Sequence, residues 1–262
     1  MLVAPPASPE GPQQRARISL VSEYASIAPG STFSLGVRFD IDDQWHIYWN
    51  GVNDSGQPPK ITWTLPPGWT ASEFRWPAPT RHAVDIVLDH IYEDGVTLLT
   101  TITVPKDYTG PADIKADGTW MICKDVCLIQ RGSDELSLTC SAAPVASPDG
   151  AAIIRDAQSR VPKPLADDPD ARKLIQPITE PGGKAADTIR KGFVVPGATR
   201  LEFYPTDACP ALADLLAEGS VKADRILLTL AEPAETVKNR PLIGVLAVWF
   251  GNFPQPAYYQ VE

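Results

Sequence analysis

Trp120-Met121-Ile122-Cys123-Lys124-Asp125-Val126-Cys127 is the stretch from which the rest of the chain is read. It holds two of the chain's 4 cysteines, at i and i+4. Along an extended strand that spacing sets the Cα atoms about 13 Å apart. A disulfide needs roughly 4.4–6.8 Å. The two sulfurs can meet only if the chain turns between them or coils into a helix. Lys124-Asp125 is polar and the flanking runs are strand-like, so the expectation is a β-hairpin with the two thiols facing each other across its mouth. Strand parity sorts the neighbours. Ile114, Ala116, Trp120 and Ile122 share one face; Lys115, Asp117, Thr119, Met121 and Cys123 share the other. That places Cys123 on the more polar face, within reach of a partner. After the hairpin, Cys140 shares parity with Leu136 and Leu138 and is expected to face a core or another domain.

Working outward, alternation is the rule. Arg17 to Ser22 alternates, Ala28-Pro29-Gly30-Ser31 turns the chain, and Thr32 to Phe39 puts Phe33, Leu35, Val37 and Phe39 on one face. A short aromatic strand follows, Trp45-His46-Ile47-Tyr48-Trp49-Asn50, then a polar loop from Gly51 to Lys60 and a strand Ile61 to Leu65. Pro77 and Pro79 exclude Phe74 to Arg81 from a central strand, because proline donates no ladder hydrogen bond. Val96 to Val104 reads as a strand; His82 to Gly95 fits no single pattern. Eight or nine short strands between residues 15 and 140 predict an antiparallel sandwich of immunoglobulin-like kind.

Residues 1–14 are rich in Pro, Ser and Gln and are expected to form a flexible leader. Ser141 to Pro148 reads as a linker. Ser147-Pro148 then caps a helix carrying Ile153, Ile154, Ala157 and Val161 on one stripe, stopped near Pro162. Pro162 to Lys191 is polar and broken by Pro and Gly. Strands return at 200–204, 225–230, 242–250 and 257–261, with a short helix over Pro210 to Ala217 ended by Gly219. The expected organisation is mainly β. Two immunoglobulin-like antiparallel β-sandwich domains cover residues 15–143 and 144–262, the second with one or two short helices.

The 262 residues suffice for two ordinary domains. With 27 prolines against 18 glycines, the composition suits turns and strands over long helices. A net charge of −9 without basic clusters argues against nucleic acid and against an anionic membrane surface. No apolar run approaches the roughly 20 residues that span a bilayer, so no direct membrane insertion is expected. Met1-Leu2-Val3 leads straight into a Pro/Ser stretch with no signal-peptide pattern. That leaves either a cytosolic protein or a sequence that starts at a mature or engineered boundary.

The ordered series Trp45 to Asn50, Trp63-Thr64-Leu65-Pro66-Pro67-Gly68-Trp69, Phe74-Arg75-Trp76-Pro77-Ala78-Pro79 and Trp120 to Cys127 resembles the N-terminal periplasmic domain of the DsbD/ScsB thiol:disulfide interchange proteins. The second half, ending Leu242-Ile243-Gly244-Val245-Leu246-Ala247, is similar to the extra domain of the longer ScsB-like branch. The resemblance implies an immunoglobulin-like fold in the bacterial periplasm and a redox-active pair, here Cys123 and Cys127. It also implies an electron relay. The membrane reductase domain of the full-length protein and its thioredoxin-like domain reduce the module, which then reduces periplasmic disulfide oxidoreductases. A cap segment shields the pair in this family. It falls on Thr80 to Tyr92, with His82, Asp85, His90 and Tyr92 as candidates. The chain departs from the family in carrying Ile91-Tyr92 where Gly-Tyr is frequent, and in its shorter cysteine spacing than some members.

Exchange proceeds through a thiolate and a mixed disulfide. Lys124 and Arg131 favour the thiolate, Asp125 opposes it, and no Cys-x-x-Cys at a helix start is present. A passive carrier is expected, with either sulfur able to attack. Cys140 and Cys209 are expected to form a structural disulfide tying the two domains or to be two buried free thiols. Cys209 precedes Pro210 at a predicted helix start, a place that can lower a thiol pKa. His46, His82 and His90 lack metal-ligand spacing, so no metal and no cofactor are expected. The tryptophans read as core and edge packing. The competing reading is a non-catalytic β-sandwich that binds a protein or copper, its disulfides being staples only.

Overall fold

The computed structural model describes residues 13–182 and 187–262. Most of the expected leader therefore lies outside the described residues. The first half holds eleven strands: β1 Ala16–Ser22, β2 Tyr24–Ile27, β3 Thr32–Ile41, β4 His46–Tyr48, β5 Lys60–Thr64, β6 Thr70–Ala71, β7 Thr80–Val84, β8 Val87–Glu93, β9 Gly95–Thr103, β10 Ala112–Cys123 and β11 Cys127–Cys140. One sheet runs β1-β3-β9-β6. Facing it, a second runs β2-β11-β10-β4-β8-β7, with β5 also paired to β10. This is the mainly-β sandwich that the alternation predicts. The segment that fitted no pattern, His82 to Gly95, is the β7–β8 hairpin. Its turn places Asp85 at φ 53°, a left-handed conformation that Asp tolerates better than most residues.

The long hairpin β10–β11 is the spine of the second sheet. Its register is unbroken from Ala112↔Leu138 to Cys123↔Cys127. Residues 112, 114, 116, 120 and 122 are buried in the core. Gly118 and Gly132 face each other in this register, and the Trp120 ring lies across them. A Cβ on Gly132 would come within 2.9 Å of Trp120 Cη2. Trp120 meets Phe39 of the facing sheet edge-on at 5.3 Å. Gln130 ties the start of β1 to β11, accepting from the Arg15 and Ala16 amides at 3.0 and 3.2 Å.

Helix α1, Pro148–Arg160, begins as predicted at Ser147, whose hydroxyl accepts from the Gly150 amide. Its partner differs from expectation. Ile154 and Ala157 pack on Leu99 of the first-half sheet, and Gly36 leaves the room that Ile154 fills. The stretch expected to be a free linker pairs along β2 through Val145 and Ala146. The apolar stripe of α1 thus covers the outer face of the β1-β3-β9 sheet.

The remainder forms two further sheets. One contains Lys163–Pro164, Ala257–Val261, Gly244–Phe250, Ala198–Pro205 and Ser220–Val221. The other contains Gln176–Pro181, Ile189–Val194 and Arg225–Thr229. The polar stretch after Pro162 carries ordered pieces, among them Lys163–Pro164, Leu165–Asp167, Pro169–Leu174 and Gln176–Pro181. Asp168 caps the helix Pro169–Leu174, and the prolines at 177 and 181 sit on an edge strand, where a missing donor is tolerated. The helix expected over 210–217 is only Leu215–Glu218, because Leu212 is bridged to Leu230. It ends at Gly219 as predicted. The described helical pieces here, including Leu165–Asp167 and Ala234–Val237, outnumber the one or two expected. Of these four pieces, Pro169–Leu174 starts at a proline, and Pro164 and Pro233 immediately precede Leu165–Asp167 and Ala234–Val237.

The halves share packing. Tyr204, Val245 and Ala247 belong to the same buried cluster as Ile47, Trp49 and Trp120. No helix among the described residues is long and apolar enough to cross a membrane.

Candidate redox site

Cys123 and Cys127 are bonded to each other. The Lys124 amide donates to the Val126 carbonyl and closes the turn between them. The hairpin expectation holds, and the parity of Cys123 holds with it. Its exposure does not: Cys123 is 2% exposed, whereas Cys127 is exposed. The face is not open at Cys123 because β4 pairs beside it, His46 opposite Cys123, and Tyr48, Ile91 and Met121 close over the sulfur. The reachable member of the pair is Cys127.

Tyr48 is the hub of the polar contacts. Its hydroxyl lies 3.3 Å from His46 Nε2, 3.3 Å from Ser55 Oγ and 3.9 Å from Cys127 Sγ. Ser55 in turn donates through its amide and hydroxyl to the two oxygens of buried Asp89, at 2.9 and 2.5 Å. His46 is stacked near His82, with ring centroids 5.1 Å apart. Burial, then the His82 charge, lowers the His46 pKa below the usual histidine value. Burial raises the Tyr48 hydroxyl. Lys124, Asp125 and Arg131 make no ion pair among the described residues.

The cap candidates divide between two faces of one sheet. In the β4–β8–β7 register, His46 faces Glu93, Tyr48 faces Ile91, and His82 faces Asp89. Alternation puts His82, Asp89 and Ile91 on the disulfide side, and Arg81, His90 and Tyr92 on the reverse. Asp85 sits at the exposed hairpin tip beside Ile86, which is 86% exposed. His90 is fully buried, and its Nδ1 donates to the Val52 carbonyl at 2.6 Å. The Tyr92 hydroxyl donates to the Pro77 carbonyl. His90 and Tyr92 therefore shield nothing directly.

Cys140 and Cys209 are free thiols, Cys140 exposed and Cys209 half-buried. The disulfide expected between them is absent, and neither is deeply buried. Pairing with β10 ends at Leu138, so Cys140 runs past the covered part of the sheet and pairs only with Ile27. Burial raises the Cys209 thiol rather than lowering it, and the nearby helix starts later, at Leu215. Cys209 lines a cavity of about 580 Å³ with Ile86, Leu88 and Pro205. The residues that sequence reasoning did not single out for the site are Tyr48, Ser55 and Asp89, and Ile91 enters it only as a departure from the family.

Residues 16–138 match the profile of the family described as thiol:disulfide interchange protein DsbD, N-terminal. The fold is similar to the crystal structure of the N-terminal periplasmic domain of ScsB from Proteus mirabilis. There the TM-score is 0.62 and the identity 14%, over 99% of this chain and 95% of that one. The sporulation control protein Spo0M from Bacillus subtilis is also matched over 95% of this chain and 91% of that one, at 10% identity, but its TM-score of 0.27 carries no argument. No curated protein matches. The hairpin and its bonded cysteines lie within residues 16–138, the part of the chain that matches the DsbD N-terminal family model.

Proposed function

We propose that this chain is a thiol–disulfide exchange module of the bacterial periplasm, carrying electrons through Cys123 and Cys127. It takes them from a membrane-embedded reductase by way of a thioredoxin-like domain, and passes them to periplasmic disulfide oxidoreductases. The observation that carries the proposal is the asymmetry of the pair, one sulfur exposed at a hairpin tip and the other buried behind it. The match of residues 16–138 to the N-terminal family of thiol:disulfide interchange proteins supports it.

In the charging step, a thiolate of the reduced partner attacks Cys127 Sγ. The Cys123–Cys127 bond breaks and its electron pair leaves on Cys123 as a thiolate. The second partner thiolate then attacks the partner's own sulfur in the mixed disulfide and expels Cys127. The partner is oxidised to a disulfide, and the module holds two thiols after proton uptake. Discharge runs the same steps in reverse on an oxidised partner.

Energetics favour a bond that can open. A disulfide closing so short a loop restrains the unfolded chain by only about 2 kcal/mol. A domain's stability is about 5–15 kcal/mol. The β10–β11 register holds the hairpin through Ile122↔Leu128 without any help from sulfur. Reduction therefore leaves the sandwich folded.

The test is trapping. Cys123→Ser leaves Cys127 with no resolving thiol, and a mixed disulfide with a thioredoxin-like partner accumulates at Cys127, read by peptide mass spectrometry. Cys127→Ser traps far less. If neither variant captures such a partner and reduction unfolds the domain, the pair is only a staple.

A further inference from the structure

The two walls that close over Cys123 stand on segments whose reverse sides are fastened to the second half of the chain. Ile91 lies on β8. The next residue back, His90, points the other way and packs edge-on against Tyr204 at 5.4 Å. Tyr48 closes β4. Its neighbour Trp49 meets His90 and Tyr204 at 6.0 and 6.4 Å. The loop after Trp49 is held at Val52: its amide donates to the Pro205 carbonyl at 3.0 Å, and its carbonyl accepts from His90 Nδ1 at 2.6 Å.

Arg81 completes the attachment. It pairs with His90 across β7–β8 and so projects from the face opposite the disulfide. Its Nη2 donates to the carbonyls of Leu215 and Leu216, at 3.3 and 2.5 Å. Both carbonyls belong to the short helix Leu215–Glu218 of the second half. The Leu215 carbonyl also accepts from the Gly219 amide, and a carbonyl oxygen with two lone pairs can take the guanidinium as a second donor.

We propose that the second half of the chain is a latch for the β7–β8 hairpin and that Arg81 is the positioning residue holding it, so that access to Cys123 depends on a contact between the two halves. The proposal rests on the exchange reading for its purpose, but its physical content does not need a partner protein. A strand is stiff across its width, and its two faces move together. When the hairpin is fastened at Arg81, Ile91 stays over Cys123. When the fastening is released, Ile91 and the Tyr48 loop lose their backing and Cys123 opens. Burial of Cys123 is then a property of the two halves in contact, not of the first sandwich alone.

The experiment uses the full chain carrying Cys127→Ser, which leaves Cys123 unbonded. Alkylation by iodoacetamide is followed under native conditions by site-resolved mass spectrometry, with Cys140 as the exposed reference. Arg81→Ala is expected to speed alkylation of Cys123 on the order of tenfold, the scale of losing charge-assisted hydrogen bonds, while Cys140 is unchanged. Arg81→Lys keeps the charge but loses the fork, and gives an intermediate rate. If Arg81→Ala does not fold, Arg81→Lys carries the test. An unchanged Cys123 rate in the folded variants overturns the latch. So does a rate that rises only in step with hydrogen exchange across β3 and β9, since that is general destabilisation. Failure of the exchange reading shows elsewhere, as absence of any trapped thioredoxin-like partner.

Discussion

Ile91→Ala removes one wall of the pocket over Cys123 and reports on both fold and site. Ile91 is fully buried and packs with Tyr48 and Cys123. Cutting the side chain back to the β-carbon forfeits roughly 2 kcal/mol of transfer free energy. A residual void of about 50 Å³ adds about 1 kcal/mol at ~24 cal/mol per Å³. The pocket is bounded on one side by half-buried Met121, which can move inward, so the expected loss is about 2–3 kcal/mol, the lower part of the range for such truncations. Urea unfolding measures it, with the midpoint falling and the slope unchanged. In the Cys127→Ser background, the same change makes Cys123 alkylate faster than it does with Ile91 in place. A loss below about 1 kcal/mol together with unaltered Cys123 reactivity would refute the placement of Ile91 over the sulfur.

Other expectations are independent of that pocket. Gly132→Ala drives a methyl into Trp120 and costs about 1–3 kcal/mol, with a shift in tryptophan emission; a neutral result would contradict the glycine slot. His46 and His90 both have folded pKa values lowered by burial, so the unfolded chain binds protons that the folded chain refuses. Stability is then full above about pH 6.5 and falls as pH drops from there toward the folded values, which urea midpoints at a series of pH values will show; a rise on acidification would oppose it. Cys140 reacts with thiol reagents quickly and Cys209 slowly, and Cys140→Ser with Cys209→Ser leaves exchange intact. A Cys140–Cys209 cross-link in a non-reducing peptide map would contradict the two free thiols.

The parts of the fold that sequence revealed are those governed by strand parity and local capping. The alternation from Ala112 to Ile122 gave the correct core face, and Ser147-Pro148 gave the start of α1. Parity also put Cys123 on the right face, but parity cannot say what a third strand lays over that face. That cover comes from β4, a three-residue strand that depends on its neighbours rather than on its own pattern. The β7–β8 hairpin resisted reading for a related reason. Both of its faces are used, one toward the disulfide and one toward the second half, so the usual apolar-in, polar-out alternation is erased. Arg81 carries no reading of its own in the sequence and His90 reads as a cap candidate, because their partners are backbone carbonyls far away in sequence. Spacing singled out the cysteine pair and the resemblance implied that it opens; only the three-dimensional structure showed which sulfur is outside.

The account's central claim is that Cys123–Cys127 opens and closes within a folded domain, through Cys127. The direct measurement is equilibration of the oxidised chain with a reduced thioredoxin-like protein, followed by quenching and site-resolved mapping of both cysteines alongside near-ultraviolet circular dichroism. The prediction is complete, reversible reduction with the aromatic signal retained and the transient partner adduct on Cys127. A pair that stays oxidised, or one whose reduction abolishes the aromatic signal, would contradict it.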